Sequence, residues 1–303
     1  AGLGCPDWPG CYGHIDVPES GNEVTAAEQA FPHRPVEAGK AWKEMVHRYL
    51  AGTLGILIVL LALFARRTRF ESKFVPRLSI VLVGLVVFQA LLGMWTVTLL
   101  VKPAIVTLHL LFGMATASLL WLATLNASGR AFLPETASGL GGLAIAALLV
   151  VIGQIALGGW TSTNYAALHC PDFPTCQGQW LPPTDFSEAF DIVGEPGVNY
   201  EGGRLDNDAR VTIHLVHRIG ALITTVYLLL LAMAVVRSSG LAARRAALLL
   251  IIVLAVQVGL GIGNVVMSLP LGLAVAHNGG AALLLLSLVF LNHALRRKTA
   301  GAI

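Results

Sequence analysis

Seven stretches of this sequence are apolar enough and long enough to cross a bilayer: 45–65, 79–100, 104–125, 138–160, 211–236, 246–267 and 271–294. A hydrocarbon core takes roughly 20 apolar residues per helix. Inside it, only a segment that satisfies its own backbone hydrogen bonds is stable. Each stretch therefore predicts one spanning helix, and the chain as a whole an all-α membrane protein. Composition agrees, because 12% of the 303 residues are charged, against about 25% in soluble domains. The mean hydropathy is +0.73. A water-soluble enzyme, a disordered chain and a coiled coil are excluded, and a net charge of +3 gives no footing for nucleic acid.

The charges are distributed asymmetrically. The connections 66–77, 126–137 and 237–245 and the tail 295–303 hold 12 of the 20 Lys and Arg residues, namely Arg66, Arg67, Arg69, Lys73, Arg77, Arg130, Arg237, Arg244, Arg245, Arg296, Arg297 and Lys298. Of the 17 acidic residues, only Glu71 and Glu135 lie there. Alternating helices put all four segments on one side, which the positive-inside rule makes the cytoplasm. The long segments 1–43 and 161–210 then lie outside, with Cys5, Cys11, Cys170 and Cys176 in a compartment that permits disulfides. This is the pattern of a multi-pass membrane protein with its C-terminus cytoplasmic.

The chain repeats itself. Cys-Pro-Asp-Trp-Pro-Gly-Cys at 5–11 returns as Cys-Pro-Asp-Phe-Pro-Thr-Cys at 170–176, and His47-Arg48 returns as His217-Arg218. His109 and His277 follow those histidines by 62 and 60 residues. Gln89 and Trp95 also echo Gln154 and Trp160. Ordered matches of this kind predict two tandem halves, 1–130 and 131–303, each a four-helix bundle. The second half begins with helix 138–160 and the first begins inside its Cys loop. The expectation is one further helix upstream of residue 1; the alternative is a true seven-helix protein.

His47, His109, His217 and His277 lie near the outer ends of their helices, one pair per half. An ionisable side chain in a membrane helix is costly and marks a function. Two imidazoles on facing helices can hold a heme iron between them. Zinc and copper are the alternatives, although two histidines without a nearby thiolate or carboxylate make a poor zinc site. The plain alternative for any one of them is a hydrogen-bonded core histidine. Arg48 and Arg218 stand where heme propionates would need cations, or where arginines simply snorkel to the interface.

The halves differ in one chemical respect. Glu44 precedes His47 by three residues, so both share a helix face; the matching position before His217 is His214. A carboxylate beside a heme can move protons or stabilise positive charge. Substrate chemistry is therefore expected in the first half, and a structural or electron-carrying heme in the second. The alternative for Glu44 is an ion pair with Lys40, Lys43 or Arg48. The cysteines most simply form the disulfides Cys5–Cys11 and Cys170–Cys176, with a redox role the sharper alternative. His14, His33, His169 and His293 read as solvated or interfacial. Segment 177–210 reads as an outer loop over the second half.

Taken together, the Cys-Pro-Asp-Trp-Pro loop, Glu44-x-x-His47-Arg48, His109, His217-Arg218 and His277 make a chain that resembles the heme A synthases over nearly its whole length. These membrane enzymes convert heme O to heme A for cytochrome oxidase, and the shorter loops here resemble bacterial members. The resemblance implies eight helices in two four-helix halves. It implies that His47 and His109 flank the substrate heme, that Glu44 is the carboxylate its oxidation needs, and that His217 and His277 ligate a resident heme b. The reaction it implies oxidises one porphyrin methyl to formyl through alcohol and gem-diol stages. The implied partners are heme O, the lipid bilayer, heme O synthase and cytochrome oxidase assembly factors. His214, one turn from His217, is a second candidate ligand. A di-heme electron-transfer cytochrome and a heme transporter or chaperone are the rival readings; the cytochrome has no use for Glu44.

Overall fold

The computed structural model describes residues 3–68, 74–127, 139–195, 197–238 and 240–296. Among them the chain forms nine helices and no strand beyond two isolated bridges: α1 (Gly21–Ala30), α2 (Ala38–Arg67), α3 (Phe74–Thr98), α4 (Pro103–Ala127), α5 (Gly141–Thr163), α6 (Phe186–Ala189), α7 (Asn207–Ser238), α8 (Leu241–Val266) and α9 (Leu271–Arg296). All but α1 and α6 are long and apolar enough to span a membrane. Large apolar side chains such as Leu50, Ile56, Leu149, Leu222 and Ile252 face outward. A water-soluble fold would bury these residues; a bilayer solvates them. The protein is an all-helical, multi-pass membrane bundle.

Four helices begin four or more residues earlier than hydropathy predicts, among them α3 at 74 against 79 and α8 at 241 against 246. α2 starts at residue 38 where the apolar stretch starts at 45, and α7 at 207 where it starts at 211. The turns added to α2 and α7 are polar, and a helix leaving the hydrocarbon continues as long as water can solvate its side chains. At 1.5 Å per residue, the 30 residues of α2 extend about 45 Å, well beyond a 30 Å hydrocarbon core. α1 is a short surface helix with a capping box: Ser20 accepts from the Glu23 N–H while the Glu23 carboxylate accepts from the Ser20 N–H. That Ser-x-x-Glu pattern is a helix start.

The chain divides into two compact units. One comprises Ala1–Gly113 with Ile192–Arg204, the other Met114–Asp191 with Leu205–Ile303. In the first, α2 packs on α3. A small core outside the spans joins Ala41 and Met45 of α2 to Cys5, Cys11, Tyr12, Val17 and Ala27. In the second, α5 touches α7, α7 touches α8, α8 touches α9 and α9 returns to α5, which closes a ring of four helices. Asn292 of α9 donates to the Ala144 carbonyl of α5 at 2.8 Å inside that ring. Segment 192–204, expected over the second half, belongs instead to the first unit. Of the basic connections, Arg69, Lys73, Arg130, Arg297 and Lys298 lie outside the described residues, as do Glu71 and Glu135.

Candidate functional site

The two cysteine loops fold alike. Each is closed by a disulfide, Cys5–Cys11 with Cα atoms 4.9 Å apart and Cys170–Cys176 with 4.5 Å. In each, the aspartate after the first Cys-Pro turns back on the chain. Asp7 accepts from the backbone N–H groups of Tyr12 and Gly13 at 2.7 and 2.8 Å. Asp172 accepts from those of Gln177 and Gly178 at 2.6 and 3.0 Å. The residue pairs so capped have positive φ, 54° and 78° in the first loop and 54° and 75° in the second. They form a tight turn across the bridges Cys11–His14 and Cys176–Gln179, where the second residue is the one that favours glycine. The Thr175 hydroxyl, then the Gly178 and Gln177 N–H groups, hold the Asp172 carboxyl below its ordinary range.

Each loop is fastened to a helix by the arginine that follows a histidine. Arg48 donates to the Asp7 and Pro9 carbonyls at 3.0 and 3.1 Å, and also to the Gly10 carbonyl and the Glu44 carboxylate. Arg218 donates to the Cys170 and Thr175 carbonyls, both at 2.7 Å, and lies over the Phe173 ring. Hydrogen bonds from a charged donor are worth about 1.5–3 kcal/mol each, so the arginines tie the loops down. A propionate contact from either guanidinium would compete with those carbonyls.

Glu44 and His214 are counterparts within this arrangement. Glu44 pairs with Arg48 one turn on, and its other oxygen accepts from the Gly4 and Cys5 N–H groups at 2.7 and 3.2 Å. Gly4 makes this approach possible: a Cβ there would sit 2.6 Å from the Lys40 carbonyl oxygen. In the second unit Arg218 donates through Nε to His214 Nε2 at 3.2 Å. His214 is 5% exposed. It fills the place of the acid and is engaged by the arginine, one turn from His217.

The four repeated histidines fall into their expected pairs. His47 and His109 face each other with ring centroids 6.3 Å apart and planes at 82°. A nitrogen–metal bond is about 2 Å and the ring centre lies roughly 1 Å farther, so two imidazoles on opposite sides of one metal atom have centres about 6 Å apart. In the second unit His217 and His277 are electrostatic neighbours.

Three of these histidines share a partner type that was only partly visible in the sequence. Gln89 Nε2 donates to the His109 carbonyl at 2.7 Å. Gln154 Nε2 lies 3.0 Å from both His217 Nδ1 and the His217 carbonyl. Gln257 Nε2 lies 3.4 Å from His277 Nε2. Gln257 was missed, although Gln-x-x-x-Gly occurs at 89–93, 154–158 and 257–261. By its place one helix before the second histidine of its pair, Gln257, rather than Gln154, is the counterpart of Gln89.

His169, expected in solvent, is half-buried. Burial and then the nearby Arg210 charge hold its pKa below the ordinary 6.5. In the first unit, Glu201 bridges Arg34 at 2.8 Å and Lys40 at 3.2 Å, and Tyr200 N–H donates to the Leu100 carbonyl at 3.1 Å. Burial pushes the Glu201 pKa up, but the Arg34 and Lys40 hydrogen bonds and charges outweigh it and hold the pKa below the ordinary 4.5. A carboxylate depressed in the fold stabilises at pH values above its unfolded pKa and stops doing so as pH falls through the lower folded value. Glu201→Gln is therefore expected to speed amide exchange in 192–204 up to about fivefold at pH 7 (roughly 1 kcal/mol), the difference from wild type vanishing on acidification well below pH 4.5. A difference that grows on acidification would contradict this.

The family model described as cytochrome oxidase assembly protein (COX15-CtaA) matches residues 1–289. The chain is 50% identical over 303 residues to heme A synthase of Shewanella oneidensis, covering 99% of this chain and 90% of that protein. It is 31% identical over 265 residues to heme A synthase of Granulibacter bethesdensis, covering 84% and 66%. To heme A synthase of Halalkalibacterium halodurans it is 29% identical over 189 residues, covering 60% and 57%. With the paired histidines, the twin cysteine loops and these matches together, the chain belongs to the COX15-CtaA family of cytochrome oxidase assembly proteins.

Proposed function

We propose that this protein is a heme A synthase, an oxidoreductase that converts a porphyrin methyl group of heme O to the formyl group of heme A. The observation that carries the reading is the His47–His109 pair, separated by the span of one bis-imidazole metal site, with Glu44 one helical turn from His47 and present in this half alone. The net change removes two hydrogens from the methyl carbon and adds one oxygen, a four-electron oxidation through alcohol and gem-diol stages whose electrons pass to an external oxidant. His47 and His109 flank the iron of the substrate and fix the macrocycle edge. Glu44, hydrogen-bonded by Arg48 and by two backbone N–H donors, takes up protons or offsets positive charge at the reacting edge. The long apolar tail of heme O favours a site among lipid-facing helices, because each buried CH₂ contributes about 0.8 kcal/mol.

His217 and His277 are the residues that would hold a resident heme b. The second unit fits such a group: ring nitrogen Nδ1 of His277 and amide oxygens Oε1 of Gln154 and Gln257 are buried without a hydrogen-bond partner among the described residues. When bound, heme b supplies a one-electron relay. The four-helix ring surrounds the partly buried pair, and Arg218 fastens the Cys170–Cys176 loop over the helix that carries His217. The basic connections support a topology with the loops and both sites toward the non-cytoplasmic face of a bacterial cell membrane.

The test is expression in membranes that make heme O but no heme A, followed by pigment extraction and mass analysis. Heme A or its hydroxylated precursor is expected, with heme b co-purifying. Heme O left unconverted beside a well-folded, heme-loaded protein would overturn the reading in favour of a di-heme cytochrome.

A further inference from the structure

Gln89, Gln154 and Gln257 each precede a glycine by one helical turn, and at all three places that glycine faces a histidine of the next helix. A Cβ built on Gly93 would lie 3.4 Å from His109 Cε1; on Gly158, 3.1 Å from His217 Cε1; on Gly261, 3.1 Å from His277 Cε1. The contact is reciprocal, because the histidine helix carries a glycine under each glutamine. A Cβ on Gly113 would lie 3.1 Å from Gln89 Nε2, and one on Gly220 or Gly280 would collide with Oε1 of Gln154 or Gln257. Contacts of 3.0–3.4 Å are tighter than ordinary packing, so each ring and each amide sits in a notch that one methyl group would fill.

Resting on the heme reading above, we propose that these three glutamine–glycine pairs are positioning elements that hold His109, His217 and His277 at a fixed ring orientation for the iron. The glycine notch limits where each ring can lie; the amide reaches the ring itself at His217 and His277, and at His109 it holds the main-chain carbonyl. A primary amide donates through nitrogen and accepts through oxygen. Gln154 Nε2 lies within reach of both Nδ1 and the carbonyl of His217, and so ties the ring to its own backbone. Outer partners of ligating imidazoles fix ring orientation and ligand basicity, and losing one costs about 10–100-fold in metal affinity.

The experiment uses the full-length, heme-loaded protein and reads two properties besides activity. These are the low-spin ferric electron paramagnetic resonance spectrum, which reports the relative orientation of the axial imidazole planes, and the rate at which heme passes to an apo-globin acceptor. Gln154→Leu keeps the volume and removes the amide. It is expected to retain heme b, shift the low-spin signal and release heme about 10–100-fold faster. Gly158→Ala, which fills the notch and leaves the amide, is expected to shift the signal as well. Should Gln154→Leu fail to accumulate, Gln257→Leu applies the same test to His277. Variants with the wild-type spectrum and release rate overturn the positioning role. If His217→Ala, prepared alongside, keeps the wild-type heme content and spectrum, the heme assignment itself falls, and the two failures are thereby told apart.

Discussion

Glu44→Gln is expected to stop heme A formation, by at least about 100-fold, while both hemes stay bound and the Cys5–Cys11 loop stays closed. Glutamine matches glutamate in size and keeps one oxygen, so it can still accept from the Gly4 and Cys5 N–H groups that hold the loop to α2. It loses the negative charge that faces Arg48. The variant therefore removes the charge and the proton-accepting capacity while disturbing the anchor least. Extracted pigment should be heme O or a hydroxylated intermediate, and thiol labelling should find Cys5 and Cys11 protected. Wild-type heme A in this variant would leave Glu44 as a loop anchor alone. That second reading has an observation in its favour, since all three of its bonded donors belong to the loop or its tether. Glu44→Asp separates reach from charge, because the shorter acid keeps the charge and withdraws from the loop.

The second large effect concerns His217. His217→Ala is expected to yield protein without the low-spin heme b and with reduced thermal stability. A ligand that binds only the folded state stabilises it by about 2.7 kcal/mol at a hundredfold excess over its dissociation constant, so the loss should exceed that of the missing side chain. His214→Ala should behave differently. It should keep the heme and loosen the Cys170–Cys176 loop, because His214 accepts from Arg218 while Gln154 and Gly158 enclose His217. The reverse outcome, heme lost in His214→Ala and kept in His217→Ala, would move the ligand one turn toward the N-terminus. Spectra of the two purified variants, read with their unfolding curves, decide it.

The spanning helices were legible because the bilayer imposes a one-dimensional rule: enough consecutive apolar residues make a helix whatever its neighbours do. The cysteine loops were legible as a repeat, since Asp7 and Asp172 each cap their own chain within six residues, and such local chemistry survives translation from one half to the other. The partners of Arg48 and Arg218 were not, because backbone carbonyls carry no side-chain signature and headgroup depth alone made propionates the natural guess. Glu44 was read through its helix neighbours, and Arg48 is indeed one turn away; the Cys5 and Gly4 N–H groups are 39 and 40 residues distant in sequence. Gln257 escaped because its repeat lacks the tryptophan that marked Gln89 and Gln154. The early starts of α2 and α7 escaped because hydropathy detects where lipid ends, not where a helix does.

The docking of Glu201 on Arg34, across 167 positions of sequence, has a consequence for biogenesis. Ribosomes release the N-terminus first, and domains ordinarily fold in the order they emerge. Here the earlier half is left without its last clasp until residue 201 has been made and α7 is about to be threaded. Nascent chains halted before that clasp emerges should expose residues around Arg34 and Lys40 to solvent, and those halted after it should shield them.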